Sequence, residues 1–443
     1  MRIHILLGVL FCLPAAAQTP AEKAVLTLEE AVTIALERFP DVAMAEAAAD
    51  SLKGLIREVR SQALPQISID ANGMRSRDPS FLNSPAFDNF PEELREAIQP
   101  VASNMFLYSV NISQPLYTAG KIGTALKLAS VESEGAEIDI NRTRQDLARD
   151  VVRSYYALMW AERYKGVVAE TQEQRKLHAE MALTRLKNGV ATEVDVLRSQ
   201  VAVSNGAPEL VRADNAIRQT RALLNYLLVR PIDFPTEVVG NFQEKAWDEW
   251  DLDALMREAS LRRPDLARLR NAERSAELQV DLARAESRMR LETNFSYGIS
   301  ARKPENLLNS LYASWRFDVS FTLPIFDGYR RSGLVYQARA NQRAVRLERE
   351  KFEQQVRLDL QQGTDDLKAA METIAAARAN IGQAERVLQM MQDNYKYGAA
   401  TTLDIVDAQT ALSEARNNLL RGLHAYTIAR ANLLWAEGRN PWE

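Results

Sequence analysis

Histidines, the commonest residues of acid–base and metal chemistry, are almost absent from this chain. Beyond the first 17 residues only His178 and His424 remain, with no metal-ligand spacing around either. No glycine-rich phosphate loop and no nucleophile elbow appears. The many Asp and Glu residues fall on charged helical faces, where solvation is their ordinary role. The residues thus point away from an enzyme, and no cofactor or metal is implied. What does recur is a phrase. LKNGVATEVDVLRSQ (186–200) and YKYGAATTLDIVDAQ (395–409) align without a gap at an offset of 209, with Lys, Gly, Ala, Thr, Asp and Gln in register. Gly189 and Gly398 suit the left-handed end of a helix. Thr192 and Thr401 stand three residues before Asp195 and Asp404, close to a capping box. Each phrase therefore predicts a hairpin tip, at about residues 188–194 and 397–403.

The elements that carry these tips are long. From Gly120 to Lys187, and from about Arg330 to Lys396, no proline interrupts and polar residues abound. At about 1.5 Å per residue each run would extend roughly 100 Å. In the second, Leu367, Ile374, Ile381, Leu388 and Tyr395 recur every seven residues, with Ala370, Ala377, Ala384 and Met391 three positions later. That is a coiled-coil seam with small residues on one side, which lets neighbouring helices approach closely. Rods of this length cannot bury themselves in one globule, so a helical barrel or coiled coil is required.

The duplication is wider than the tips. ALERFPDVAMAEAAADS (35–51) aligns with ASLRRPDLARLRNAERS (259–275) at an offset of 224, and QPLYTAGK (114–121) with LPIFDGYR (323–330) at 209. The fall from 224 to 209 puts 15 extra residues in the first half, between about 70 and 110, where a Pro-, Asn- and Ser-rich window reads as a longer surface loop. Pro40 and Pro264 suit helix starts. Each half then holds two strands, at about 66–75 and 105–115, and at about 291–300 and 313–324. In the second half Phe295, Tyr297, Trp315, Phe317, Val319 and Phe321 alternate with polar residues such as Asn294, Asp318 and Ser320. Period two with aromatics on the apolar side suits a membrane barrel as well as a half-buried soluble hairpin. The adjoining rods favour the barrel.

The N-terminus, MRIHILLGVLFCLPAAAQ, reads as a secretory signal over residues 1–17, with cleavage expected after Ala17. The only cysteine, Cys12, lies inside it, and bulky Phe11 before it argues against a lipoprotein signal. No later stretch is apolar for about 18 residues, so a transmembrane helix is not expected. Net charge is −4, which offers no basic face for nucleic acid. Two repeats follow the signal, 18–250 and 251–443.

The signal, the duplicated helix–strand–strand–helix plan, PLYTAGK and PIFDGYR after the strands, and the two tip phrases together resemble the TolC family of outer-membrane efflux proteins, from about Leu26 to Trp435. The resemblance implies a mainly α-helical homotrimer whose subunits each give four strands to a 12-stranded outer-membrane barrel on a long periplasmic helical barrel. It implies a belt around the rods, built from the N-terminal region, residues 230–250 and the C-terminal end. It also implies a passive exit duct in outer-membrane lipid, fed at the tips (Gly189, Thr192, Gly398, Thr401) by a periplasmic adaptor and an inner-membrane pump of RND or ABC type, for efflux or type I secretion. A structural periplasmic spacer or adhesin stalk is the alternative, but it needs no lipid-facing band.

By the same resemblance, Asp404 and Asp407, one turn apart on a helix face, match the acidic residues that close the periplasmic entrance. Their first-half counterparts are Asp195 and Arg198. Tyr395 and Asp195 match a pair that latches the tip, whereas the position of the family's latching arginine is Ala400. Pro208, inside the first return helix, is expected to break or kink it.

Overall fold

The computed structural model describes residues 25–97, 102–242, 244 and 251–442. The expected signal with its Cys12, and part of the expected belt segment 230–250, lie outside the described residues. In chain order the first half runs β1 (Val25–Leu26), α1 (Leu28–Arg38), α2 (Pro40–Ser61), β2 (Gln66–Ser76), short α3 (Pro85–Asp88) and α4 (Glu92–Ala97), β3 (Ser103–Tyr117), α5 (Lys121–Lys187) and α6 (Glu193–Leu227). The second runs β4 (Glu237–Val238), α7 (Leu252–Arg262), α8 (Pro264–Ala285), β5 (Arg290–Ala301), β6 (Ala313–Thr322), α9 (Arg330–Lys396) and α10 (Thr402–Ala436).

The duplication is kept to the residue. Rods α5 and α9 both span 67 residues and returns α6 and α10 both span 35, at the offset of 209. Helices α2 and α8 both span 22 residues and open on proline, at the offset of 224. The heptad seam of α9 is buried at Leu367, Ala370, Ile374, Ala377, Ala384, Leu388 and Tyr395, mostly against α10. A return helix covers only the lower half of each rod. The upper half packs α2, α5, α8 and α9 side by side, and the lower half α6, α5, α10 and α9. In both halves α9 forms one edge, and α2 above and α6 below form the other.

The strands make one antiparallel sheet in the order β2–β3–β5–β6. Directly opposed residues share a face, and the register aligns Ile69 with Val110, Val110 with Tyr297, and Tyr297 with Trp315. Phe295 opposes Phe317, Thr293 opposes Val319 and Leu291 opposes Phe321. One face is therefore continuously apolar and exposed at Ile67, Ile69, Trp315, Phe317, Val319 and Phe321. The other carries Asp70, Asn111, Asn294 and Asp318, joined by Asn111 Nδ2 to Asp70 at 2.6 Å and Asn294 Nδ2 to Asp318 at 3.1 Å. Strands β2 and β6 each have one unpaired edge.

Sheet turns into rod through two consecutive left-handed residues in each half. They are Ala119 and Gly120 (φ 48° and 86°), and Gly328 and Tyr329 (φ 64° and 66°). Glu286 ties both corners, 2.7 Å from Lys121 and 3.5 Å from Arg330. Lys121, the first of these partners in effect, holds the Glu286 carboxyl below its usual range.

Around the middle of the rods, β1 pairs with β4 in parallel. The Tyr155 hydroxyl, from α5, sits 3.0 Å from the Leu26 carbonyl and 2.5 Å from that of Val239, and accepts from the Val239 amide. Burial pushes its pKa up to about 12, so the hydroxyl remains a donor. Trp442 packs against the same core.

Of the break or kink expected at Pro208, the break is overturned: α6 is continuous from Glu193 to Leu227. The neighbouring rod supports the turn before it: Gln172 Nε2 donates to the Val203 carbonyl at 2.9 Å, and Gly206 is bare where a β-carbon would collide with the Gln172 amide.

Candidate functional site

Both tips are built alike, from local chemistry. Rod α5 ends in a Schellman turn, with Val190 N donating to Arg185 O and Gly189 N to Leu186 O, both at 2.9 Å. Rod α9 ends the same way, with Ala399 N on Asn394 O at 2.9 Å and Gly398 N on Tyr395 O at 3.1 Å. Gly189 and Gly398 share φ 78° and stand in open space. The next helix starts at once. Thr192 and Thr401 accept from the amides of Asp195 and Asp404, and each carboxylate reaches back to the threonine amide and hydroxyl, which completes two capping boxes.

That geometry gives Asp404 a second occupation. The backbone amide and then the hydroxyl of Thr401 hold its carboxyl below the ordinary carboxylate range, which keeps it ionised. Asp407, one turn on, is exposed on the same side of α10, opposite buried Ile405 and Ala408. Two carboxyl side chains thus lie exposed at the start of α10, beside exposed Leu403.

The hairpins meet around Tyr395, which is 5% exposed. Among the described residues no hydrogen bond joins it to its expected partner Asp195. The Tyr395 hydroxyl lies 3.4 Å from the Thr402 hydroxyl. Thr192 is the main cause that holds the Asp195 carboxyl low.

Two residues that no sequence pattern singled out complete the contact. Arg185, from the last turn of α5, stacks its guanidinium 4.6 Å from the centre of the Tyr395 ring. It also donates Nη1 to the carbonyls of Tyr395 and Lys396, at 2.9 and 3.4 Å, in the last turn of α9. A cation at a helix C-terminus is favoured by the dipole as well. An arginine is thus present, but it comes from the other hairpin, where Ala400 had suggested there would be none. On the far side His178 packs its ring 5.3 Å from that of Tyr395. It is 3% exposed and neither ring nitrogen has a partner. It borders a cavity of about 240 Å³ with Gln174, Ile405 and Gln409. Burial pushes its pKa down, and the Asp195 charge only partly offsets that.

The strand residues form a second site, the exposed apolar face with Phe295, Tyr297, Trp315, Phe317, Val319 and Phe321 on one side of the sheet. No described helix is long and apolar enough to cross a membrane.

With that geometry in hand, comparison with known proteins is direct. The model of the outer membrane efflux protein family matches residues 31–228 and 255–439. The Escherichia coli outer membrane protein TolC is 23% identical over 427 residues, covering 90% of this chain and 79% of TolC. Among solved structures, the Campylobacter jejuni outer membrane channel CmeC superposes with a TM-score of 0.79 at 17% identity, over 93% of this chain and 85% of CmeC. The open state of the Neisseria gonorrhoeae MtrE outer membrane channel gives 0.77 at 19%, over 93% and 89%.

Proposed function

This chain belongs to the outer membrane efflux protein family and is an outer-membrane channel with a long periplasmic helical part, and we propose that three copies form one exit duct for efflux or type I secretion. The observation that carries this reading is the four-stranded sheet, apolar on one face and polar on the other, with an unpaired edge at each end. Four strands do not close a barrel, and open strand edges are not tolerated in lipid. Copies that join β6 of one to β2 of the next satisfy every edge. The helices support the same closure, since α9 lacks on its outer side the neighbours that α5 has. A spacer or stalk has no use for exposed Trp315, Phe317 and Phe321.

In this reading the barrel passes cargo passively, and the energy comes from an inner-membrane pump of RND or ABC type through a periplasmic adaptor. The adaptor docks on the tips, at Gly189, Thr192, Gly398 and Thr401. Asp404 and Asp407 of each copy converge as the periplasmic gate. Tyr395 and Asp195 latch the hairpins closed, with Arg185 stacked on the tyrosine ring. The test is single-channel current in planar bilayers, together with the mass of the detergent-solubilised protein. A conducting trimer is expected; a stable monomer without conductance refutes the duct.

A further inference from the structure

We propose that the seam between copies repeats the seam within each copy, with one ion pair reversed in sign: Asp50 of one chain faces Arg343 of the next. This rests on the trimeric reading above and adds the residues that make the contact. Within the chain, α8 of the second half packs on α5 of the first. The repeat offsets carry α8 onto α2 and α5 onto α9, residue for residue. Yet in one chain α2 and α9 stand on opposite edges of the helical layer. The contact equivalent to α8 on α5 is therefore made by α2 of one copy on α9 of another.

The chemistry of the known seam transfers at some positions and lapses at others: Arg268, 3.0 Å from Asp139, corresponds to Met44 opposite Glu348. Arg274 pairs with Glu134 at 3.0 Å across α8 and α5. Shifted by 224 and 209, these positions are Asp50 and Arg343, opposite charges again but exchanged. Arg343 is exposed and makes no hydrogen bond or ion pair among the described residues, while Asp50 holds only Lys53, its neighbour on the same helix. Beside the internal pair, Asn271 packs over bare Gly135 and donates to the Val131 carbonyl at 2.9 Å. The shifted positions are Ala47 and Ala344, both exposed, which exchange a large–absent pair for a small–small one. Lower down, Gln409 Nε2 reaches the Gln174 carbonyl at 3.4 Å. Its counterparts Gln200 and Gln383 are the same residues, both exposed on the two unmatched edges.

Strand register transfers in the same way. Val110 opposes Tyr297 within the chain, so Val319 of one copy opposes Gly73 of the next. Both lie on the apolar face. One complementary charge pair, one pair of facing glutamines and the strand register together commit these edges to a second copy of this chain.

The chain without its signal has no cysteine, which makes the test clean. Asp50→Cys combined with Arg343→Cys, treated as the intact detergent-solubilised protein with a short bifunctional maleimide, should run as covalent dimers and trimers on a denaturing gel. Either single variant should run as monomer. Asp50→Arg should lower the temperature at which the trimer dissociates, and Asp50→Arg with Arg343→Asp should restore it. A trimer by mass that gives no intermolecular product from the double-cysteine protein, or no rescue on charge exchange, overturns the seam but leaves the trimer standing. A monomer by mass removes the trimeric reading itself, and the seam with it.

Discussion

The guanidinium of Arg185 stacks on the ring of Tyr395, 4.6 Å from its centre, and the same group hydrogen-bonds the backbone that carries that ring. One side chain of the first hairpin thereby holds both the aromatic face and the helix end of the second.

Arg185→Ala should separate the two tips. Charge-assisted hydrogen bonds are worth about 1.5–3 kcal/mol, and part-exposure of Arg185 places the loss toward the lower end. Basal single-channel conductance should rise, with trimer mass unchanged. Arg185→Lys should restore little, because an ammonium cannot stack its plane on the ring. Conductance equal to wild type in both variants would detach this contact from closure.

Acid should loosen the same joint through His178. Its folded pKa lies below the ordinary 6.5 because of burial, so the folded protein binds fewer protons than the unfolded one. The stabilisation that a neutral His178 represents is complete above about pH 6.5 and is lost as pH falls toward the depressed folded value. The facing groups are Asp195 from α6, Arg185 on its own rod, Tyr395 and Lys396 from α9, and Gln409 from α10. Of these only Asp195 favours the imidazolium. Thermal midpoints should therefore fall between pH 6.5 and the His178 pKa, and His178→Phe should flatten that slope. Histidine NMR titration, with His424→Phe to assign the two signals, reads the pKa directly. A His178 pKa at or above 6.5 contradicts the sign.

Arginine at Phe317 or Val319 should impair assembly in the membrane. The cost is about 2–4 kcal/mol near mid-bilayer. Ser320, which opposes Glu292 on the polar face, should accept a threonine at little cost. Folding yields into lipid vesicles measure both, and equal sensitivity at the two registers would refute the assigned faces.

The gate should select cations. Six carboxylates, three from Asp404 and three from Asp407, would attract cations and let a trivalent ion bridge subunits. Thr401 holds the Asp404 carboxyl down within one chain, while convergence of like charges in the assembled aperture raises it, so block should weaken progressively as the buffer is acidified. Asp407→Asn isolates the charge effect, since Asp404 also caps α10. Asp404→Asn with Asp407→Asn should abolish block by trivalent ions from the periplasmic side. Asp195→Ala should mainly loosen closure and raise conductance. Undiminished block in the double variant would move the aperture elsewhere.

Much of this architecture was legible because it is written in local, periodic terms. Alternation at Phe295, Tyr297, Phe317 and Val319 marks a two-faced sheet before any register is known. The heptad from Leu367 to Tyr395 and the Gly–Thr–Asp tip phrases need only neighbours along the chain. Contacts between hairpins are another matter. Nothing in the spacing joins Arg185 to Tyr395, since that pair exists only because the last turns of α5 and α9 meet at the tips. The search for an arginine at position 400 followed chain alignment, whereas the structure supplies one from across the joint. Pro208, a breaker by local preference, sits inside a continuous α6 packed along the neighbouring rod.

The paired left-handed residues at each sheet-to-rod corner turn a small angle into a large displacement. A rod of 67 residues is a lever of roughly 100 Å, so each degree of rotation at its upper end moves the far tip by about 1.7 Å. Each corner joins one glycine to one residue for which this conformation costs about 1–2 kcal/mol, Ala119 beside Gly120 and Tyr329 beside Gly328. The two fulcrums are therefore built alike, and a small rotation at the membrane end is magnified in equal measure at both tips of one copy.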